Sequence, residues 1–70
     1  MASHSAVEKN LRDQKRALEM LRHEAVFVRF AADARDKPVV DRVVAAIEAR
    51  ISENWWLHRE LNRVHGDANV

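Results

Sequence analysis

The stretch Asp36-Lys37-Pro38, in the middle of the 70-residue chain, decides the fold because helical patterns run on both sides of it. A proline inside a helix has no amide to donate to the carbonyl four residues earlier, and its ring pushes the preceding residue out of helical geometry. The stretch therefore predicts a tight turn at residues 36–37, with Asp36 as the N-cap of the following helix. The alternative is one long helix kinked at Pro38, which would leave its apolar seams uncovered.

The first predicted helix spans residues 5–35 and carries the strongest periodic signal in the chain. Ser5 and Glu8 fit a capping box, in which the hydroxyl and the carboxylate each accept a hydrogen bond from the other residue's backbone amide. Residues then recur with alternating spacings of four and three, as in a heptad seam with one polar interruption. The seam consists of Val7, Leu11, Gln14, Leu18, Leu21, Ala25, Val28 and Ala32.

The second predicted helix spans residues 38–65 and continues the four-three spacing through Val40, Val44, Ile47, Ile51, Asn54, His58 and Leu61. Gly66 comes next, at the position where a left-handed C-cap residue is expected, so residues 66–70 are predicted to be a frayed tail. The polar residues Gln14, Asn54 and His58 interrupt the two seams. Polar residues at such positions commonly specify helix register or oligomeric state at some cost in stability.

Composition points to the same class of fold. The chain has one glycine and one proline, which is poor in turns and argues against several strands. Seventy residues form one domain, 1–70, near the lower size limit for a stable lone core, and the absence of cysteine excludes disulfide support. The sequence therefore predicts an all-α antiparallel two-helix hairpin that dimerises into a four-helix bundle.

The chain shows no uninterrupted apolar run of the length that crosses a bilayer. Its start, Met-Ala-Ser-His-Ser, lacks the basic and apolar regions of a secretory signal. A cytoplasmic protein without membrane contact is expected.

Apolar residues outside the two seams are the main clue to function. Met20, Phe27 and Phe30 fall roughly opposite the first seam, so the second half of that helix is apolar nearly all round. In the second helix, Trp56 projects away from its seam, with Arg59 and Arg63 within two turns of it. Completion of a homodimer core is the simplest explanation. The sharper one is that part of this surface docks another protein, either through the face of Trp56, Arg59 and Arg63 or through Phe27 and Phe30, because Trp and Arg are enriched in interface hot spots.

A modest basic cluster opens the first helix and consists of Lys9, Arg12, Lys15, Arg16 and Arg22. The formal net charge is only +1, and Glu8, Asp13 and Glu19 lie at helical pairing distances from these cations. A solvated, salt-bridged helix face is the simplest interpretation. The alternative is contact with an RNA or DNA backbone, where two copies would double the basic surface.

Signals of catalysis are absent from the sequence. His58 and His65 share a helix face, but no cysteine accompanies them, so no functional metal site is expected. There is no Gly-rich phosphate loop and no recognisable nucleophile-base arrangement. Arg29 and Arg50 lie near the seams and are expected to pair with carboxylates such as Glu48 or Asp41. We therefore expect no enzyme activity, no cofactor and no small-molecule substrate.

Three functions are compatible with these features. The leading hypothesis is a small homodimeric regulator or inhibitor that binds another protein. The second is a nucleic-acid-binding regulator that uses the basic face of the first helix. The third is a purely structural oligomerisation element.

Overall fold

The computed structural model describes residues 4–68, with the side chains of residues 5–66. This part of the chain consists of two helices, α1 His4–Ala31 and α2 Lys37–Ala68. They pack side by side in opposite directions and form a slender rod with Cα extents of 55 × 16 × 16 Å. The radius of gyration is 16.2 Å, whereas a compact domain of this length would have roughly 11 Å. The predicted all-α helical hairpin is confirmed.

The connection between the helices is longer than predicted. α1 ends at Ala31, four residues before the predicted end, and the turn occupies residues 32–36 instead of 36–37. The carbonyl of Asp33 accepts hydrogen bonds from the amides of Asp36 and Lys37, at 2.9 and 3.1 Å. The Asp36 carbonyl then accepts from the amides of Val39 and Val40, at 3.1 Å each, which starts α2. Five residues give the chain room to reverse direction, and Pro38 sits in the first turn of α2, where its missing amide costs nothing.

The outer ends of both helices also differ from the sequence prediction. α1 already includes His4, so Ser5 lies inside the helix and not at its cap. α2 continues through Gly66 to Ala68, and Gly66 does not adopt a left-handed conformation. A glycine is tolerated inside a helix at about 1 kcal/mol relative to alanine, and no proline comes after it to force a stop. Of the predicted tail, Asn69 and Val70 lie outside the described residues.

The contact between the helices follows one predicted seam completely and the other in part. Every residue of the α2 seam, from Val40 to Leu61, is buried or half-buried. In α1, five of the eight predicted residues are at least half-buried, whereas Gln14, Leu21 and Val28 are exposed. One neighbouring helix covers only a narrow strip of α1. The three exposed residues lie on the side of the seam that α2 does not reach.

The core is thin. Within residues 5–66, only Leu11 and Asn54 are buried, at 8% and 3% exposure. Two ion pairs bridge the helices along one side: Arg29 with Asp41 near the turn, and Arg22 with Glu48 at 3.7 Å. Asp41 is one of the two carboxylates that the sequence suggested as partners of Arg29. The hydrogen bond and the charge of Asp41 raise the pKa of the Arg29 guanidinium above its ordinary value. Among the described residues, Arg50 pairs with no carboxylate, contrary to expectation, because Glu48 and Asp41 point toward α1.

Neither helix, over the residues described, is long and apolar enough to cross a membrane.

Candidate interaction surface

The hairpin leaves an unusual amount of apolar surface exposed to solvent. Its accessible surface is 5880 Å², whereas a compact monomer of this mass would expose about 4,500 Å². Among the described residues, eleven large hydrophobic side chains contribute to this surface: Met20, Leu21, Phe27, Val28, Phe30, Val39, Val43, Trp55, Trp56, Leu57 and Val64. Large exposed apolar patches are typical of interaction surfaces.

Six of these side chains lie on one side of the hairpin, which we call the apolar face: Leu21, Val28, Val39, Val43, Leu57 and Val64. Viewed down the axis of each helix, these side chains are rotated by roughly 80–100° from the direction of the other helix, because each residue advances about 100° around the axis. Because the helices are antiparallel, the two stripes turn toward the same side. A groove at the open end of the hairpin brings Leu57 and Val64 together with Val7 and Leu11. Both helices thus contribute to the apolar face at the open end of the hairpin.

The opposite side of the hairpin carries a second groove. Arg12 and Lys15 of α1 line it together with Asn54, Trp55 and His58 of α2. The guanidinium of Arg59 lies 4.9 Å from the centre of the Trp55 ring, within the range of a cation–π contact. Sequence reasoning grouped Arg59 with Trp56. In the structure Arg59 stacks on Trp55 instead.

Trp56 lies on the outer side of α2, away from α1, and is 55% exposed. It is about 100° round the helix from the apolar face. Arg63 shares this outer side, and its guanidinium is held by the Glu60 carboxylate at 2.8 Å. Trp56 is therefore an accessible aromatic ring that neither the core nor the apolar face uses.

Phe27 and Phe30 are even more exposed, at 73% and 80%, but they lie far from Trp56 along the rod. Along the rod, Phe27 lies close to the Arg29–Asp41 ion pair, and Trp56 lies close to the contact of Asn54 with Leu11. Asp41 and Asn54 are separated by about 20 Å along α2, from a rise of 1.5 Å per residue. Phe27 and Phe30 therefore lie on a surface separate from that of Trp56.

The basic cluster of α1 is divided by its ion pairs. Lys9 pairs with Asp13 at 3.2 Å, and Arg22 pairs with Glu48. No carboxylate in the described part of the chain lies within 4 Å of the charged groups of Arg12, Lys15 and Arg16. These three cations remain available, and the first two border the groove that contains Trp55.

Two buried polar atoms stand out inside the hairpin. Asn54 donates from Nδ2 to the Leu11 carbonyl oxygen at 3.0 Å, but its Oδ1 has no hydrogen-bond partner. The Nε2 atom of His58, one turn further along α2, is also buried without a partner. Gln14, the third polar interruption of the seams, instead donates to Asn10 on its own helix at 2.9 Å. In the described segment, no three His, Asp or Glu side chains are grouped so that they could hold a metal ion.

Sequence reasoning missed a second four-three pattern in α2. It consists of Val39, Val43, Ala46, Arg50, Glu53, Leu57, Glu60 and Val64. Its signal was present in the sequence but was hidden by the more apolar seam that begins at Val40. The pattern supplies the α2 half of the apolar face, with one cation and one anion at its centre.

The surfaces of this hairpin are the best guide to what it does. No protein family model, curated protein or solved structure matches the chain.

Proposed function

We propose that this protein is a non-enzymatic interaction module, a homodimeric helical hairpin that binds another protein and so regulates or inhibits it. The observation that carries the proposal is the exposure of eleven large hydrophobic side chains on a two-helix rod. Six form the apolar face, and the others lie on different sides. Two kinds of contact are therefore proposed, one with a second copy and one with a different protein.

The apolar face is suited to a second copy. A standard stable interface buries about 800 Å² per partner. One long side of the rod measures 55 × 16 Å, so covering the apolar face would bury a surface of about this size. Two hairpins stacked face to face form a four-helix bundle, in which each helix gains a second neighbour. The exposed seam residues Leu21 and Val28 would then enter a core.

Trp56 is the best-placed residue for contact with a different protein. It lies about 100° round α2 from the apolar face, so the dimer leaves its ring accessible. Tryptophan is the side chain most enriched in interface hot spots, where it contributes a large apolar area at low entropic cost. Phe27 lies on the outer side of α1 and offers a second, separate anchor near the turn end of the rod.

Substitution of Trp56 with Ala tests the protein-binding proposal. We expect the variant to keep the dimer mass and melting temperature of the unchanged protein while it no longer captures a discrete protein that the unchanged chain captures from host extract. Met20→Ala is a control, because it removes another large exposed side chain from the opposite helix. A drop in dimer mass for Trp56→Ala would place the ring inside the dimer and contradict this role.

Nucleic-acid binding is a second candidate, and a specific observation favours it. Arg12, Lys15 and Arg16 have no carboxylate partner in the described structure, and the first two line the same groove as Trp55, on which Arg59 stacks, so cations and an aromatic ring are combined there. Such combinations bind single-stranded nucleic acid through phosphate contacts and base stacking. Fluorescence anisotropy with labelled RNA and DNA oligonucleotides at low and high salt tests this. Affinity that falls steeply with salt and is lost when the three cations become Gln supports it.

A purely structural oligomerisation element is the remaining proposal. It is distinguished by a stable dimer that binds neither a protein nor an oligonucleotide. We place all three activities in the cytoplasm, as expected for a cysteine-free chain.

A further inference from the structure

The second seam of α2 has a symmetric layout. Its positions pair off about a midpoint between residues 51 and 52: 39 with 64, 43 with 60, 46 with 57, and 50 with 53. We infer that α2 packs antiparallel against α2 of a second copy, centred at this midpoint. Arg50 then faces Glu53 of the partner subunit twice, by symmetry. This inference rests on the proposed dimer and adds its register and orientation.

The charges at the centre favour this arrangement over the alternatives. Within the described residues, Arg50 and Glu53 take part in no ion pair, although both are exposed along an otherwise largely apolar seam. Antiparallel pairing of α2 places the cation opposite the anion. Parallel pairing of α2 would place like charges opposite each other, which is unfavourable at an interface.

The flanking layers fit as well. Ala46 faces Leu57 of the partner subunit, so a small side chain leaves room for a large one, and Val39 faces Val64 of the partner subunit at both ends. Val43 faces Glu60 of the partner subunit. The carboxylate of Glu60 is engaged by Arg63 of its own helix at 2.8 Å, so its aliphatic stem can cover the valine while its charge stays at the rim.

The inferred pairing sets the two turns at opposite ends of the bundle. The alternative two-fold arrangement, with both turns at one end, would pack α2 against α1 of the partner subunit. The Arg22–Glu48 and Arg29–Asp41 ion pairs show which residues of α1 and α2 lie at the same height along the rod. In this arrangement Arg50 would lie beside Leu21 of the partner subunit, and Glu53 beside Ala17 of the partner subunit. That arrangement leaves both central charges against apolar side chains.

Charge reversal tests the register directly. In Arg50→Glu, residues 50 and 53 are both anionic, and in Glu53→Arg both are cationic, so each variant repels a second copy of itself. For each variant alone, we expect the dissociation constant of the dimer to be at least about tenfold higher than that of the unchanged protein. An equimolar mixture should recover the dimer as a heterodimer, because its central pairs are again complementary. Mixing does not restore interactions within one helix, so recovery isolates the contact between copies.

The outcomes separate this inference from the proposed function. If the unchanged chain is a monomer, the proposed dimer itself is wrong. If the unchanged chain dimerises but the mixture does not recover, the register inferred here is wrong.

Disulfide trapping gives a second, independent measurement, because the chain has no native cysteine. Val39→Cys with Val64→Cys in one chain should give a covalent dimer under mild oxidation, whereas each single substitution should not. The two positions lie about 38 Å apart on one helix, so any disulfide between them joins two chains. Efficient trapping instead by Ala31→Cys with Val39→Cys would establish the arrangement with both turns at one end.

Discussion

Asn54 of α2 donates a hydrogen bond from Nδ2 to the backbone carbonyl oxygen of Leu11 in α1, at 3.0 Å, and these are the two buried residues of the described hairpin. A polar side chain therefore occupies the best-protected position in the contact between the helices. Any sliding of one helix along the other would break this hydrogen bond. The cost is the buried Oδ1 of Asn54, which has no partner.

Asn54→Leu tests whether Asn54 fixes the register of the two helices at a cost in stability. The substitution removes an unsatisfied buried atom, and the Leu11 carbonyl keeps its partner within α1, so the free energy of unfolding should stay unchanged or rise by about 1–2 kcal/mol. The register should become less specific, which would show as broadened or multiplied amide peaks in NMR spectra. Asn62→Leu, on the exposed side of the same helix, is the control and should leave the spectrum sharp. A large loss of stability for Asn54→Leu would show that the hydrogen bond itself holds the hairpin together.

Ala46→Lys and Ala45→Lys form a matched pair that tests the apolar face. Both alanines are exposed in the hairpin and lie next to each other in α2, so the two substitutions have the same effect on helix propensity. Ala46 belongs to the second seam, whereas Ala45 lies on the outer side. We expect Ala46→Lys to weaken dimerisation at least about tenfold, or roughly 1.4 kcal/mol, with Ala45→Lys close to the unchanged protein. Equal effects in dilution experiments would argue against a second copy on this face.

Gly66→Ala tests whether α2 continues past its predicted end. A Cβ at this position meets no atom within 4 Å, and the residue is helical. Alanine should therefore stabilise the protein by about 0.5–1 kcal/mol through helix propensity, seen as a rise of a few degrees in melting temperature. Ala49→Gly on the exposed middle of the same helix should lower stability by a similar amount. A loss of stability in Gly66→Ala would indicate that the helix stops at Gly66 with a left-handed cap.

Asp41→Asn tests the ion pair with Arg29, which joins the helices next to the turn. Both side chains are about half exposed, so the pair should contribute little and should be screened by salt. We expect a small drop in melting temperature at low salt that disappears at high salt. Glu24→Gln removes a carboxylate without an ion pair in the described structure and should show no such salt dependence. A large, salt-independent drop would mean that Asp41 acts through packing or the turn.

The sequence was sufficient for the topology and for one of the two seams. Pro38 located the break between the helices, and the unbroken four-three spacing from Val40 to Leu61 identified the side of α2 that meets α1. These features depend on local chemistry and on one periodicity, which sequence shows directly.

The remaining features depend on relations that a single periodicity does not contain. Leu21 and Val28 fit the α1 seam by spacing, yet they lie outside the strip that one neighbour covers. Gly66 suits a C-cap, but whether a helix ends at a glycine also depends on the residues beyond it. Arg59 is three residues from Trp56 and four from Trp55, and only the side-chain geometry shows that it stacks on Trp55.

The mass of the protein in solution decides whether a second copy covers the apolar face. In sedimentation equilibrium at micromolar concentration, we predict a species of twice the 8.1 kDa chain mass, with a melting temperature that rises with protein concentration. A single species at the mass of one chain across the same concentrations, with its helices folded, would contradict the proposed dimer.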